Sequence, residues 1–364
     1  MGPHPAVAQA RACVRRCLGD LEPGDLVLAA CSGGADSLAL AAALAHEAPR
    51  LGLRGGGVTV DHGLQEGSAA QASRVEATLL TLGLDPVRQV QVTVPPGAGG
   101  PEAAARSPRY TALEQQARQT GAAAVLLGHT RDDQAETVLL GLARGSGARA
   151  LAGMPARRGR FRRPMLGLSR ATLREACLAQ QLEPWDDPHN RDLSYARVRV
   201  RRQALPALEE ALGPGIAEAL ARSAAQLAAD CEALDDIARA EEGRIQGPDA
   251  TGGTLATLDI EGLAELAPAI RTRVLRQAAL TAGCPGGSLS AAHVAALDAL
   301  VTGWHGQRGA DLPGAVRVQR RYGRLLFSVS PASPQERAGS VVRGGPVGVG
   351  PPDRTEAEAA GGRE

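Results

Sequence analysis

The hexapeptide Ser32-Gly33-Gly34-Ala35-Asp36-Ser37 follows the apolar run Leu26–Cys31 and precedes an alanine- and leucine-rich stretch, Leu38–His46. A buried strand, a glycine turn and a helix start, in that order, make a phosphate cradle. The glycines let backbone N–H groups approach an anion, and the helix N-terminus adds partial positive charge. The loop has no lysine after a second glycine, as a Walker loop requires, and no G-x-G-x-x-G, as dinucleotide folds require. Its place at the first strand–helix junction separates it from an ordinary glycine turn.

The rest of the first half fits such a cradle. Strand signals at Leu26–Ala30, Gly57–Asp61, Val87–Val94 and Ala123–Gly128 alternate with helix signals over 37–47, 69–82, 107–119 and 132–143. Alternation of this kind predicts an α/β fold, a Rossmann-like parallel sheet with helices on both faces and its ligand beyond the strand C-termini. A smaller, mainly helical domain should follow, with helices over Ile216–Arg239 and from a Ser290 cap, ending in a hairpin within 314–329. We therefore expect a helical segment at 1–23, the sheet domain at 24–205, the helical domain at 206–330 and a disordered tail at 331–364. The breaker-rich Pro95–Pro101 reads as a mobile crossing loop.

Aromatic residues make up only 2% of the chain, so Ala, Leu and Val must fill the interior. All 40 basic residues are arginine. The net charge of +1 hides a stretch, Arg144–Arg202, in which 14 arginines face 5 acids, a local excess of +9. That excess suggests a polyanion surface. The six cysteines form no C-x-x-C pair, and neither a signal peptide nor an 18-residue apolar run is present, so we expect a reducing, cytoplasmic setting and no membrane.

Three further stretches carry chemistry. In Leu127–Val138, His129 should sit at a strand end and Asp133 and Glu136 on one face of the next helix. Two carboxylates there suit either Mg²⁺ through oxygen ligands or a cationic amine. In 101–110, Arg106 and Arg109 are one helical turn apart and suit a phosphate or a base. In Tyr195–Arg202, strand geometry would put Arg197, Arg199 and Arg201 on one face, a row of donors for a phosphate backbone.

Taken together, SGGADS at 32–37, VDHGL at 60–64, AAARSPRY at 103–110, the GHTRDDQAETVL…RGSG run within 128–154, RRPML at 162–166 and WDDPHN…YARVRVRRQALPAL at 185–208 resemble the tRNA(Ile)-lysidine synthetase family. Its members are N-type ATP pyrophosphatases, and S-G-G-x-D-S is their pyrophosphate loop. The motifs occur in the family's order over about residues 24–210.

The resemblance implies a PP-loop ATPase fold and a ligase. ATP would adenylate C2 of the wobble cytidine of a CAU-anticodon tRNA(Ile), and free L-lysine would displace AMP to give lysidine, switching reading to AUA. By the same resemblance Ser32, Gly33, Gly34, Ala35, Asp36, Ser37 and His129 bind ATP, and Asp36 ligates Mg²⁺. Asp36, Arg106, Asp133 and Glu136 form the catalytic set, Asp133, Glu136 and Arg197 hold lysine, and Arg109, Arg144, Arg199 and Arg201 contact tRNA, with residues 206–330 as the tRNA-binding domain. The oligomeric state, a homodimer among the options, stays open. Departures from the family occur at Asp61, Gln65, His189 and Val198, none at a presumed catalytic group. A tRNA thiolase of the same superfamily would want paired cysteines, which this chain lacks.

Overall fold

The computed structural model describes residues 2–61, 63, 67–93, 101–145, 147–247, 254–307 and 309–329, with 101–107 as backbone alone. The tail at 331–364, the loop residues 95–100 and Gln65 lie outside the described residues. The chain divides into two compact units, 1–233 and 234–364.

The first unit is built on a six-stranded sheet ordered β3-β2-β1-β4-β6-β5. The strands are β1 (Leu26–Ala30), β2 (Arg54–Asp61), β3 (Val87–Gln91), β4 (Ala124–Leu127), β5 (Arg157–Arg158) and β6 (Phe161–Arg162). All neighbours run parallel except β5 with β6. All five residues of β1 are buried, as a central parallel strand requires. Val27 and Ala29 join the core on one face of the sheet, while Leu26, Leu28 and Ala30 join the core on the other.

The helices flank these faces. They are α1 (Pro5–Leu18), α2 (Ala35–Glu47), α3 (Ser68–Thr81), α4 (Pro101–Thr120), α5 (Arg131–Ala143), α6 (Ala148–Leu151) and α7 (Arg170–Leu178). Leu38, Leu40 and Leu44 of α2 pack with Val14 of α1 and Leu173 of α7, and Leu113 and Ala117 of α4 cover the opposite face. With so few aromatics, contact comes from small side chains at close range. The fully buried Glu47 of α2 is held by Arg15 of α1 through two hydrogen bonds of 2.7 and 2.9 Å, which satisfies the carboxylate it would cost to bury alone.

One expectation is corrected here. The Tyr195–Arg202 stretch is not extended: it forms α8 (Ala196–Arg199) and then a π-helical turn, Val200–Ala204, before α9 (Leu205–Leu212). Val198 is the buried position of α8. Its alternation with arginines imitates a strand, but burial of one valine per turn decides for helix. Arg197, Arg199 and Arg201 therefore form no common row.

Helix α10 (Ile216–Ile245) carries the chain across the division. The second unit holds α11 (Ile260–Glu265), α12 (Pro268–Thr281), α13 (Ala291–Thr302) and an antiparallel sheet, β7-β10-β9-β8. These strands are β7 (Thr254–Asp259), β8 (Ala310–Leu312), β9 (Val316–Arg321) and β10 (Arg324–Val329). The expected hairpin is present, with Tyr322 and Gly323 both at positive φ (48° and 74°) in a two-residue turn. The expected cap is present too, as Ser290 and His293 form a capping box at the start of α13. The two outer strands β7 and β8 were not foreseen.

Candidate active site

β1 ends with the Cys31 N–H donating to Val58 O, and the chain then turns through Ser32-Gly33-Gly34 into α2. Gly33 sits at φ +87°, and a Cβ there would meet Val75 Cγ2 at 2.8 Å, so conformation and space both demand glycine. Gly34 is the N-cap of α2 and offers no side-chain cap, which leaves the first N–H groups of the helix to an incoming anion. Ser37 Oγ donates to Gly34 O (2.9 Å) and accepts from the Ser32 N–H (3.2 Å), fixing the loop from within. The Trp185 N–H donates to Gly33 O at 2.9 Å and ties a distant segment to the same turn.

The end of β4 approaches this turn just as closely. A Cβ on Gly128 would lie 3.1 Å from backbone atoms of Asp36 and Ser37. Past Gly128, His129 faces a cavity of about 430 Å³ that opens beyond the C-terminal ends of β1, β2 and β4. Ser32, Gly34, Arg109, Tyr110, Trp185 and Arg197 are among its walls, and Arg201 closes one side. Burial holds the His129 imidazole down to about 3, against the pull of Asp133, so the ring is neutral at pH 7. Its buried Nδ1 has no hydrogen-bond partner among the described residues.

Thr130 caps α5. Its Oγ1 accepts from the Asp133 N–H, while Asp133 Oδ2 accepts from both the N–H and the Oγ1–H of Thr130 at 2.8 Å. Asp133 and Glu136 do share a face, and both turn to arginines. Arg170 Nη2 lies 2.8 Å from Asp133 Oδ1 and 3.5 Å from Glu136 Oε1, and its Nε lies 3.4 Å from Asp36 Oδ2. Arg201 donates to both oxygens of Glu136, at 2.7 and 3.2 Å.

Electrostatics follows this geometry. Burial pushes the Asp36 carboxyl up to about 6, with Asp133 adding to the push and Arg170 opposing it. Burial also acts to raise Asp133, but Arg170 and the Thr130 backbone N–H outweigh it and hold the group below the usual carboxylate range. Burial acts to lower Arg170, and the surrounding acids more than reverse that, so it is permanently charged.

Asp36 Oδ1 is buried and has no partner among the described residues. That orphaned oxygen suits a cation, and Mg²⁺ asks little more of a protein than one or two carboxylates, taking its other ligands from phosphate and water. No group of three or more His, Cys, Asp or Glu suited to a metal occurs among the described residues.

The remaining expected residues divide clearly. Arg109 and Arg197 line the cavity, and Arg201 lies between it and Glu136. The Arg106 side chain lies outside the described residues. Arg144 is exposed at the C-cap of α5, the far end of that helix from Asp133. Arg199 turns away to donate to Leu193 O and Ser194 O, at 2.7 and 2.6 Å.

Much of the +9 excess is also spent internally. Arg157 and Arg162 pair with Asp20, and Arg163 donates to the Tyr110 hydroxyl at 3.0 Å. Arg170 is the residue that sequence reasoning missed. Its only sequence signal was its place just after the Ser169 helix cap, since its partners lie more than thirty residues away.

A family model described as a PP-loop domain matches residues 8–208, and one described as the TilS substrate binding domain matches 258–326. The tRNA(Ile)-lysidine synthase of Thermobifida fusca (strain YX) is 61% identical over 330 residues, covering 90% of this chain and 99% of that protein. That of Streptomyces coelicolor is 55% identical over 356 residues, covering 90% and 99%. Among solved structures, the U34-tRNA thiolase NcsA of Methanococcus maripaludis matches with a TM-score of 0.52 at 18% identity, over 61% of this chain and 80% of that one, a likeness of fold.

Proposed function

The chain belongs to the tRNA(Ile)-lysidine synthase family of PP-loop ligases, which use ATP and act on tRNA, and from that premise we propose how its own residues divide the reaction. ATP adenylates the C2 oxygen of the wobble cytidine in a CAU anticodon, pyrophosphate leaves, and the ε-amine of free lysine then displaces AMP. The product reads AUA.

The turn at Ser32–Ser37 and the uncapped start of α2 receive the phosphates, and neutral His129 faces the nucleotide without adding charge. Asp36 would hold Mg²⁺, which supplies charge neutralisation on the phosphates when bound. Arg106 and Arg109 would stabilise the adenylated intermediate, and Arg197, on the cavity wall, would hold lysine beside Asp133 and Glu136. Arg144, Arg199 and Arg201 remain candidates for tRNA, alongside residues 206–330, although Arg201 engages Glu136. Six free cysteines and the absence of a membrane-spanning helix among the described residues favour a reducing, cytoplasmic setting.

The observation that carries this reading is the carboxylate pair of α5. Asp133 and Glu136, both buried, already hold two guanidinium groups beside the phosphate turn. A site that pairs carboxylates with cations at that distance from an ATP cradle suits an alkylammonium nucleophile.

The test is incorporation of labelled lysine into unfractionated tRNA with ATP and Mg²⁺. Acid-insoluble label that survives mild deacylation and resides in the CAU-anticodon isoleucine tRNA is the expected result. AMP release without label would leave adenylation standing and overturn lysine as the nucleophile.

A further inference from the structure

Arg170 stands at the centre of the acid cluster, fixed from both ends. Its backbone N–H donates to Asp132 Oδ2 at 2.8 Å, and its guanidinium reaches Asp133, Glu136 and Asp36 at 2.8, 3.5 and 3.4 Å. It opens α7 directly after the Ser169 cap, whose Oγ accepts from the Thr172 N–H. These contacts hold its positive charge among the acids.

Lysine must attack as the free amine, yet its ε-ammonium loses a proton only near pH 10.4 in water. Carboxylates that bind the ammonium make it harder still to deprotonate. The charged groups around that position come from several elements. Asp36 comes from α2, while Asp132, Asp133 and Glu136 come from α5. Arg170 comes from α7 and Arg201 from the π-helical turn, and His129 at the end of β4 is neutral. Arg109 and Arg197, from the cavity wall, and Arg163 act on His129. With Asp36 assigned to Mg²⁺, three acids against two arginines leave a net of −1, and without Arg170 the net would be −2.

We propose that Arg170 is a positioning residue whose fixed positive charge favours the neutral form of the lysine ε-amine held at Asp133 and Glu136. The proposal rests on the lysine-ligation reading above. One proton leaves the ammonium for solvent. The nitrogen lone pair then forms the C2–N bond, the C2–O bond breaks, and AMP departs with its electron pair. The second proton lost from nitrogen also goes to solvent, and the product base keeps the positive charge. Arg170 takes up no proton in this sequence. It acts by like-charge repulsion on the bound ammonium, which spends part of the binding favourability of the acid pair on reactivity.

Single-turnover lysine transfer by the full-length enzyme, measured across the neutral to alkaline range, tests this. R170Q should need a pH about one unit higher for half-maximal transfer and lose about tenfold in rate at neutral pH, the size expected of one neighbouring charge. KM for lysine should hold steady or fall. S-(2-aminoethyl)cysteine, whose amine is less basic than that of lysine, should gain on lysine in R170Q relative to the wild-type enzyme. R170K, which keeps the charge without the planar fork, should retain the wild-type pH dependence.

A raised KM with an unmoved pH dependence, or equal losses for lysine and its analogue, would make Arg170 a structural tie between α7 and α5 and overturn the proposal. A shifted limb in R170K overturns it as well, whether or not R170Q folds. A wild-type enzyme that transfers no lysine would overturn the ligation reading itself, a distinct outcome seen before any variant is compared.

Discussion

Arg201 Nε lies 2.7 Å from Oε1 of Glu136, a carboxylate whose side chain has no exposed surface, while the arginine itself keeps a quarter of its own surface in solvent. The two partners therefore differ in what their loss leaves behind. Arg201→Ala strands a buried acceptor, with only the longer contact to Arg170 left, and should cost roughly 1–3 kcal/mol. Glu136→Gln leaves an arginine that can turn to water and should cost less. Urea unfolding followed by Trp185 fluorescence in a Trp304→Phe background measures both, and equal costs would contradict the asymmetry.

Asp133 is used twice, as capping-box acceptor for Thr130 and as counter-ion to Arg170. Asp133→Asn should therefore raise KM for lysine strongly while ATP-dependent adenylation of tRNA persists at a reduced level. Thr130→Val, which removes the hydroxyl alone, should destabilise by about 1 kcal/mol, the usual worth of an N-cap. Kinetics with lysine and ATP varied separately check the division, and an equal loss in both would refute it.

At Gly128 the constraint is distance alone. The methyl of Gly128→Ala would press at 3.1 Å on the backbone of Asp36 and Ser37. Backbone must move, and overpacking of this kind costs roughly 1–3 kcal/mol. Because the displaced atoms carry the phosphate turn, KM for ATP should rise more than KM for lysine.

Asp36 makes a prediction for the metal-free chain in EDTA. Burial pushes its carboxyl up to about 6 in the folded chain, above the ordinary aspartate range. The folded state thus holds this proton more tightly than the unfolded state does. Between about pH 4 and 6 the group's contribution to stability falls as pH rises, and it is fully lost above 6. Asp36→Asn keeps the shape without the charge. Its stability advantage over the wild-type chain should grow through that window and level off above it. A constant difference across the window would show that Asp36 titrates normally.

How far this was legible in the sequence depended on the range of the interactions. The strand–turn–helix at 26–47, the Asp133–Glu136 face and the Tyr322-Gly323 turn are local, set by apolar runs, glycine and caps within a few residues. Arg170 meets Asp36 across 134 positions, and no local pattern encodes such a meeting. β7 and the three-residue β8 pair with β10 and β9 through the second core, so alternation alone did not reveal them. Around Arg197–Arg201 the local signal misled, because two valines spaced as in a strand are also tolerated in a helix that needs to bury only one.

The hydrogen bond from the Trp185 N–H to Gly33 O also fixes an order of events during synthesis. The phosphate turn leaves the ribosome about 150 residues before the tryptophan that anchors it, and the carboxylates of the site appear before both arginines that neutralise them. A nascent chain cut short between α5 and α7 thus carries β1–β4 and the turn, but with an unanchored loop and an acid cluster lacking its counter-ions. The nucleotide site completes itself only when the last part of the first unit has been made.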